Sequence, residues 1–536
     1  MIHLRKKKRQ QIFSKKRQLL RSIPGDEKVP DYQIYLADLD TRFKNQEISP
    51  ETIPDIIELI FIYIIKPEQE ERFYLSLLSY LADLSEKDYT EIFSAIIDQN
   101  LLEHLTVYFR IVDNEEVINI ICKIICNASV ANDRRILQSV FSTEPCCLEF
   151  LFEVLHTQQN TDTIDSVIIC LTNLYIDGYY AEEIINRDYI RLLDEYLNQG
   201  FKLKITKVNN ISWSLAAVSS PELTTENHSL LIMMCKNLMA LNNKESTIGC
   251  LQCLNRLLDG SKSFFLLIEF EMHPIIWSLF QEFEDRDLTR LLLCFYELMF
   301  NSTEFDLLEM IFTEDFQKRL EEKFEIETDY KSHGNQEIER REDPHGYYMI
   351  ESAILNIFQN AASKVRGAAS MLLLSPLMHV QTFEEYEDHN VVCASVELFR
   401  NVFSKLEFDD PDVINFITCK ASSFKVPILC GLKSNFGSLT KILESNSSTP
   451  AITYLCLKCV REILDFAVEQ IKLDYIQFFR EQGGEEILER YVHDSNYNTR
   501  ELSISILMEH FRYDSKIGEI EDEYEYYDRE DPYENT

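Results

Sequence analysis

An all-α solenoid is the fold this sequence predicts, and three observations predict it. Seven stretches repeat an apolar quartet at i, i+3, i+4 and i+7. They are Ile121/Ile124/Ile125/Ala128, Val167/Cys170/Leu171/Leu174, Ile211/Ser214/Leu215/Val218, Cys250/Cys253/Leu254/Leu257, Leu291/Cys294/Phe295/Leu298, Ile354/Ile357/Phe358/Ala361 and Ser395/Leu398/Phe399/Val402. At about 100° per residue such a quartet makes one buried helix face, and i+2 and i+6 fall near the opposite side. The quartets mostly recur roughly 40–46 residues apart, the period of a HEAT or armadillo array. Glycine (13) and proline (14) are scarce in 536 residues, so little interrupts the helices. Each repeat needs only its neighbours to bury its face, so a chain this long requires no linker between separate cores.

Residues 1–22 form a basic arm, and 23–50, with Pro24, Pro30 and Pro50, read as a tether. Tyr74/Leu77/Leu78/Leu81 is an eighth quartet, and Ile452/Leu455/Cys456/Cys459 and Ile504/Leu507/Met508/Phe511 bring the repeats to about ten. The solenoid then spans 51–512. The wide step from Leu291 to Ile354 places a charged insertion at about 322–346, expected as a surface loop. A second stretch, 431–450, accounts for the step before Ile452. Residues 513–536 are an acidic tail without core positions, expected to be disordered.

Charge narrows the function. Net charge is −37, yet the first 25 residues hold nine Lys/Arg and no acid. The remainder is thus more acidic still; it should attract basic partners and repel nucleic acid phosphates. The apolar run Ile53–Ile65 contains Asp55 and Glu58 and is too short to cross a bilayer. No apolar signal segment follows the basic start, so an intracellular, soluble protein without a membrane partner is expected. Cys250/Cys253 and Cys456/Cys459 lie on apolar faces with no Cys/His partner pair nearby, which favours packing over metal. Neither a phosphate loop nor a nucleophile elbow occurs, so no enzyme, cofactor or metal is expected.

The second stripe carries the binding chemistry. At i+2 and i+6 it reads Lys123/Asn127, Ile169/Asn173, Trp213/Ala217, Gln252/Arg256, Leu293/Glu297, Asn356/Asn360 and Glu397/Asn401. Held in register across stacked helices, such a stripe becomes a ladder along a groove. Trp213, Asn127, Asn173, Asn360 and Asn401 are its candidate ligand-contacting residues.

Three segments together resemble the importin-α family. The first is Leu4-Arg5-Lys6-Lys7-Lys8-Arg9 followed by Lys15-Lys16-Arg17, similar to that family's importin-β-binding arm. The second is Thr172-Asn173-Leu174-Tyr175-Ile176-Asp177-Gly178, similar to the end of the third helix of an early repeat. The third is residues 481–511, whose Gly-Gly turn and two helices are similar to the last repeat. The resemblance implies a right-handed armadillo superhelix whose groove binds nuclear-localisation signals. It also implies an arm (Arg5, Lys6, Lys8, Arg9, Lys15, Lys16, Arg17) that docks on importin-β when loaded and occupies the groove when free. Recycling by an exportin with Ran-GTP, and shuttling between cytoplasm and nucleus, follow from the same resemblance. Asp177 would pair with the deepest signal lysine. The family's stripe is usually Trp at i+2 and Asn at i+6; here Trp survives at position 213, and Lys123, Ile169, Asn356 and Glu397 stand at other Trp places. An armadillo scaffold with a dedicated protein partner is the alternative, and membrane docking of the arm through Leu4, Ile12, Phe13, Leu19 and Leu20 is a weaker one.

Overall fold

A computed structural model of the chain describes residues from Ile57 to Phe511, apart from several stretches of which 333–349, 378–388 and 406–436 are the longest. The arm, the tether and the acidic tail lie outside the described residues. Every described element is a helix; among the described residues there is no strand. No helix among them is long and apolar enough to cross a membrane.

The helices that carry the repeat are numbered α1–α10, and those between them are given by range. They are α1 (Glu71–Lys87), α2 (Glu115–Ser129), α3 (Thr161–Ile176), α4 (Ile205–Val218), α5 (Lys244–Leu258), α6 (Arg286–Asn301), α7 (Ile350–Lys364), α8 (His389–Lys405), α9 (Pro450–Gln470) and α10 (Tyr497–His510). Two shorter helices precede several of them, as Ala181–Asn186 and Tyr189–Asn198 precede α4, and Phe264–Glu269 and Met272–Glu282 precede α6. Two short helices and a long one per repeat is an armadillo arrangement. The chain divides into two compact units, Met1–Met272 and His273–Thr536.

In the first unit α1 packs on α2, α2 on α3, α3 on α4 and α4 on α5. Asparagine starts two of them. The Asn114 Oδ1 accepts from the Glu116 N–H at 2.9 Å at the head of α2, and Asn160 does the same for Asp162 at 2.9 Å on α3. The quartets of α2, α3, α4 and α5 are all buried, as are Leu77, Leu78 and Leu81 of α1. Ser214 holds a polar place in the α4 quartet without penalty, because its Oγ lies 2.9 Å from both Thr172 Oγ1 and the Tyr189 hydroxyl. Burial pushes the Tyr189 phenol up to about 12. At Gly249 the backbones of α4 and α5 meet: a Cβ there would sit 2.8 Å from the Ser212 carbonyl carbon.

The second unit stacks α6 on α7, α7 on α8, α8 on α9 and α9 on α10. Its core centres on Phe316, whose ring centroid lies 4.8 Å from Tyr296, 5.5 Å from Trp277 and 6.0 Å from Phe300. Lys323 and Arg319 cap the carboxyl end of the helix Met272–Glu282, donating to the carbonyls of Phe283 at 2.9 Å and Gln281 at 2.9 Å. Glu327 is buried and paired with Arg286.

Here the structure corrects the sequence reading in four places. On α6 the buried quartet is Leu292/Phe295/Tyr296/Met299, one residue later than expected, and Leu293, expected on the open stripe, is fully buried. The open pair on α6 is therefore Cys294/Leu298. On α10 the buried set is Ser503/Ile506/Leu507, one residue earlier, and Met508 is exposed. Leu455 of α9 is only half-buried. The charged stretch expected as a loop at 322–346 continues the helix Glu314–Ser332, with Lys323 and Glu327 buried; 333–346 lie outside the described residues.

Candidate functional site

The i+6 residues share one geometry. On α2 the Asn127 Nδ2 donates to the Ala82 carbonyl at 3.1 Å and to Ser85 Oγ at 2.8 Å, both at the carboxyl end of α1. On α3 the Asn173 Nδ2 donates to Ser129 Oγ, the last residue of α2, at 3.2 Å. On α7 the Asn360 Nδ2 reaches Asn301 Oδ1 at 2.8 Å and its own Asn356 carbonyl at 2.9 Å. On α8 the Asn401 Nδ2 donates to the Gln359 carbonyl at 3.3 Å. Each side chain is a rung to the preceding repeat helix, which fixes the spacing of the stack and orients the amide.

Trp213 is exposed to 45 % on α4, whereas the second tryptophan, Trp277, belongs to the aromatic core of the second unit. On either side of Trp213 in the i+2 row stand Ile169 and Gln252, both half-buried, and Lys123 is exposed one helix further back. Ala217, at i+6 of the same helix, makes no rung of its own. The next helix supplies one: the Arg256 Nη1 donates to the Ala216 carbonyl at 2.6 Å. This bond matches that of Asn401, since Ala216 and Gln359 occupy the same repeat position, five residues into their quartets.

Asp177 follows α3 as its carboxyl-terminal cap, with its N–H on the Asn173 carbonyl at 3.1 Å. Gly178 then takes φ +81°, the left-handed turn that ends the helix. The Asp177 side chain is exposed and, among the described residues, has no partner. So Asn127, Asn173, Asp177 and Trp213 all lie on consecutive helices of one unit, while Asn360 and Asn401 lie on consecutive helices of the other. The arm residues Arg5, Lys6, Lys8, Arg9, Lys15, Lys16 and Arg17 lie outside the described residues.

The stripe of the second unit is more closed. The Asn356 Nδ2 donates to Glu297 Oε1 at 2.8 Å, and Arg400 pairs with Glu397 at 2.9 Å. The Lys458 ammonium sits 4.4 Å from the centroid of its neighbour Tyr454, a cation–π contact. Arg461 pairs with Glu509 at 3.1 Å. Sequence reasoning missed Arg256, although its i+6 phase marked it; what periodicity does not convey is that the residue reaches back across α4.

No protein-family model and no curated protein matches the chain. Among solved structures, an engineered protein aligns with 86% of this chain and 98% of its own at 12% identity, with a TM-score of 0.58. A designed armadillo repeat protein in complex with the peptide (KR)4 aligns with 46% of this chain and 98% of its own at 15% identity, TM-score 0.38. A structure of the cadherin and beta-catenin interaction aligns over 86% and 99% at 12% identity, TM-score 0.39. Likeness at these identities bears on the fold alone. The chain is an all-α armadillo-repeat solenoid.

Proposed function

We propose that the first unit binds an extended peptide segment of a protein partner across α2–α5, and that the protein serves as a nuclear-import adaptor of the importin-α kind. The observation that carries this reading is Trp213, a large indole left 45 % exposed on α4, with the oriented amides of Asn173 on α3 and Asn127 on α2 before it in the stack. An indole face accepts both the methylene stem and the charge of a lysine, and an amide pairs with peptide backbone. Asp177 adds an unpaired carboxylate at the end of α3. The two basic clusters at Arg5–Arg9 and Lys15–Arg17 support an importin-β partner and an arm that competes for the groove. Nuclear-localisation signals of cargo, importin-β and a recycling exportin with Ran-GTP are then the partners.

A lysine-rich nuclear-localisation peptide titrated against the full chain tests this. Binding that weakens on Trp213→Ala and on Asp177→Lys supports the groove; absence of binding to the chain and to a version with Lys15, Lys16 and Arg17 changed to Ala rejects it. Capture of importin-β by the full chain, lost when those three residues are changed, tests the adaptor role separately.

One observation favours a second reading, an armadillo scaffold for one dedicated partner. Lys123 places an exposed positive charge in the row where a lysine-rich peptide would lie. Replacing Lys123 with Trp strengthens signal binding under the first reading and weakens the dedicated contact under the second.

A further inference from the structure

We infer that the peptide bound by the first unit presents an acidic side chain, Asp or Glu, to Arg256 beside Trp213. This rests on the proposed peptide groove and specifies what it reads. Where an asparagine forms the rung, the amide keeps its oxygen as an acceptor for the ligand, with one N–H to spare at Asn173 and Asn401. Arginine offers donors only, five of them in a planar fork. The Arg256 Nη1–Ala216 contact at 2.6 Å uses one. The residue is exposed, and among the described residues the other four N–H groups meet no protein acceptor.

The carbonyl bond fixes where the charge sits. Ala216 lies three residues after Trp213, so the guanidinium is held against the turn that carries the indole. Gly249 permits the approach, since α5 there has no Cβ to keep it from the Ser212 backbone. Ala217 presents only a methyl group at the intervening i+6 place. Among the described residues the bond that Arg256 makes is the one to the Ala216 carbonyl, and it forms no ion pair with a carboxylate of the chain. A single guanidinium matches a carboxylate monoanion in bidentate fashion; a phosphate dianion calls for a cluster of cations.

The test uses the full chain and four fluorescent peptides. All carry one lysine-rich signal core; the flanking triplets, placed on both sides, are Ser, Glu, phosphoserine or Lys. The Glu-flanked peptide is expected to bind about tenfold tighter than the Ser-flanked one, the scale of a charge-assisted pair. That advantage should vanish in Arg256→Gln, which keeps an amide donor for the Ala216 rung and an unchanged melting temperature. An arm competing for the groove lowers all four affinities alike and leaves their ratios intact. Equal binding of Ser- and Glu-flanked peptides, or an advantage that survives Arg256→Gln, overturns the inference while leaving the peptide groove standing. A gain confined to phosphoserine overturns the choice of carboxylate. Failure of all four peptides to bind removes the groove itself.

Discussion

The two units stack their repeat helices in the same manner and finish the open side of the stack differently. In the second unit the polar groups on and beside the stripe answer one another: Asn356 with Glu297, Arg400 with Glu397, Lys458 with Tyr454, Arg461 with Glu509. In the first unit Lys123, Asp177 and Trp213 have no such partner among the described residues, and Arg256 uses one of its donors. A satisfied surface gains little from a ligand, because each new bond replaces an old one. An open one gains the full difference. One solenoid thus leaves polar groups of its first unit open and pairs those of its second with one another.

The comparison can be broken or sharpened by substitution. The largest effect is expected from Phe316→Ala, which empties the aromatic core of the second unit and should cost about 3–5 kcal/mol. Chemical unfolding should show that unit melting first, while peptide binding by the first unit persists; loss of both together would show that the units do not unfold separately. Gly249→Ala is next. Its Cβ meets the Ser212 backbone, and forcing α4 and α5 apart should cost about 1–3 kcal/mol, lower the midpoint of the first unit and weaken peptide binding with it.

Trp213→Ala inverts that pattern. The side chain is largely exposed, so stability should hardly change, whereas peptide affinity should fall by about 2 kcal/mol, roughly thirtyfold, as for an interface anchor. Tyr454→Ala in the second unit should leave the same affinity unmoved; a comparable loss there would assign peptide contact to both faces.

The smallest effect is in pH. His273 is held below its ordinary value by burial, its Nδ1 has no hydrogen-bond partner, and its ring lies edge-on to Tyr296 at 6.1 Å. The folded form therefore keeps the ring neutral where the unfolded chain takes up a proton. Stability is full above the unfolded value near 6.5 and falls as the pH drops below it toward the lowered folded value. Unfolding midpoints at pH 7 and pH 5 should show this loss in the second unit, reduced in His273→Leu.

Much of the fold was legible because burial repeats with the helix. Where a helix alternates cleanly, as in α2 with its Lys123 and Asn127 among isoleucines, the quartet fell where the sequence put it. On α6 the run Leu291-Leu292-Leu293-Cys294-Phe295-Tyr296 is apolar at nearly every place, so two phases fit equally. Tertiary packing of Tyr296 against Phe316 and Phe280 decided between them. On α10 small polar residues, Thr499 and Ser503, take buried places that a hydrophobic pattern passes over. Lys323 and Glu327 read as loop because charge usually stays in water, but each is buried with a partner, the Phe283 carbonyl and Arg286. At the site, Trp213 and the asparagines stood out by phase. Their inward bonds did not, since a period says which side a residue faces and nothing about how far its side chain reaches.

Those inward bonds leave a mark on what the first unit can recognise. With both N–H groups of the Asn127 amide already on Ala82 and Ser85, only its oxygen remains for a ligand. An oxygen can pair only with a donor. A peptide lying over α2 can meet it with a backbone N–H or with a side-chain donor such as a lysine ammonium; proline, which has neither, is the residue least suited there by covalent structure rather than by size or charge.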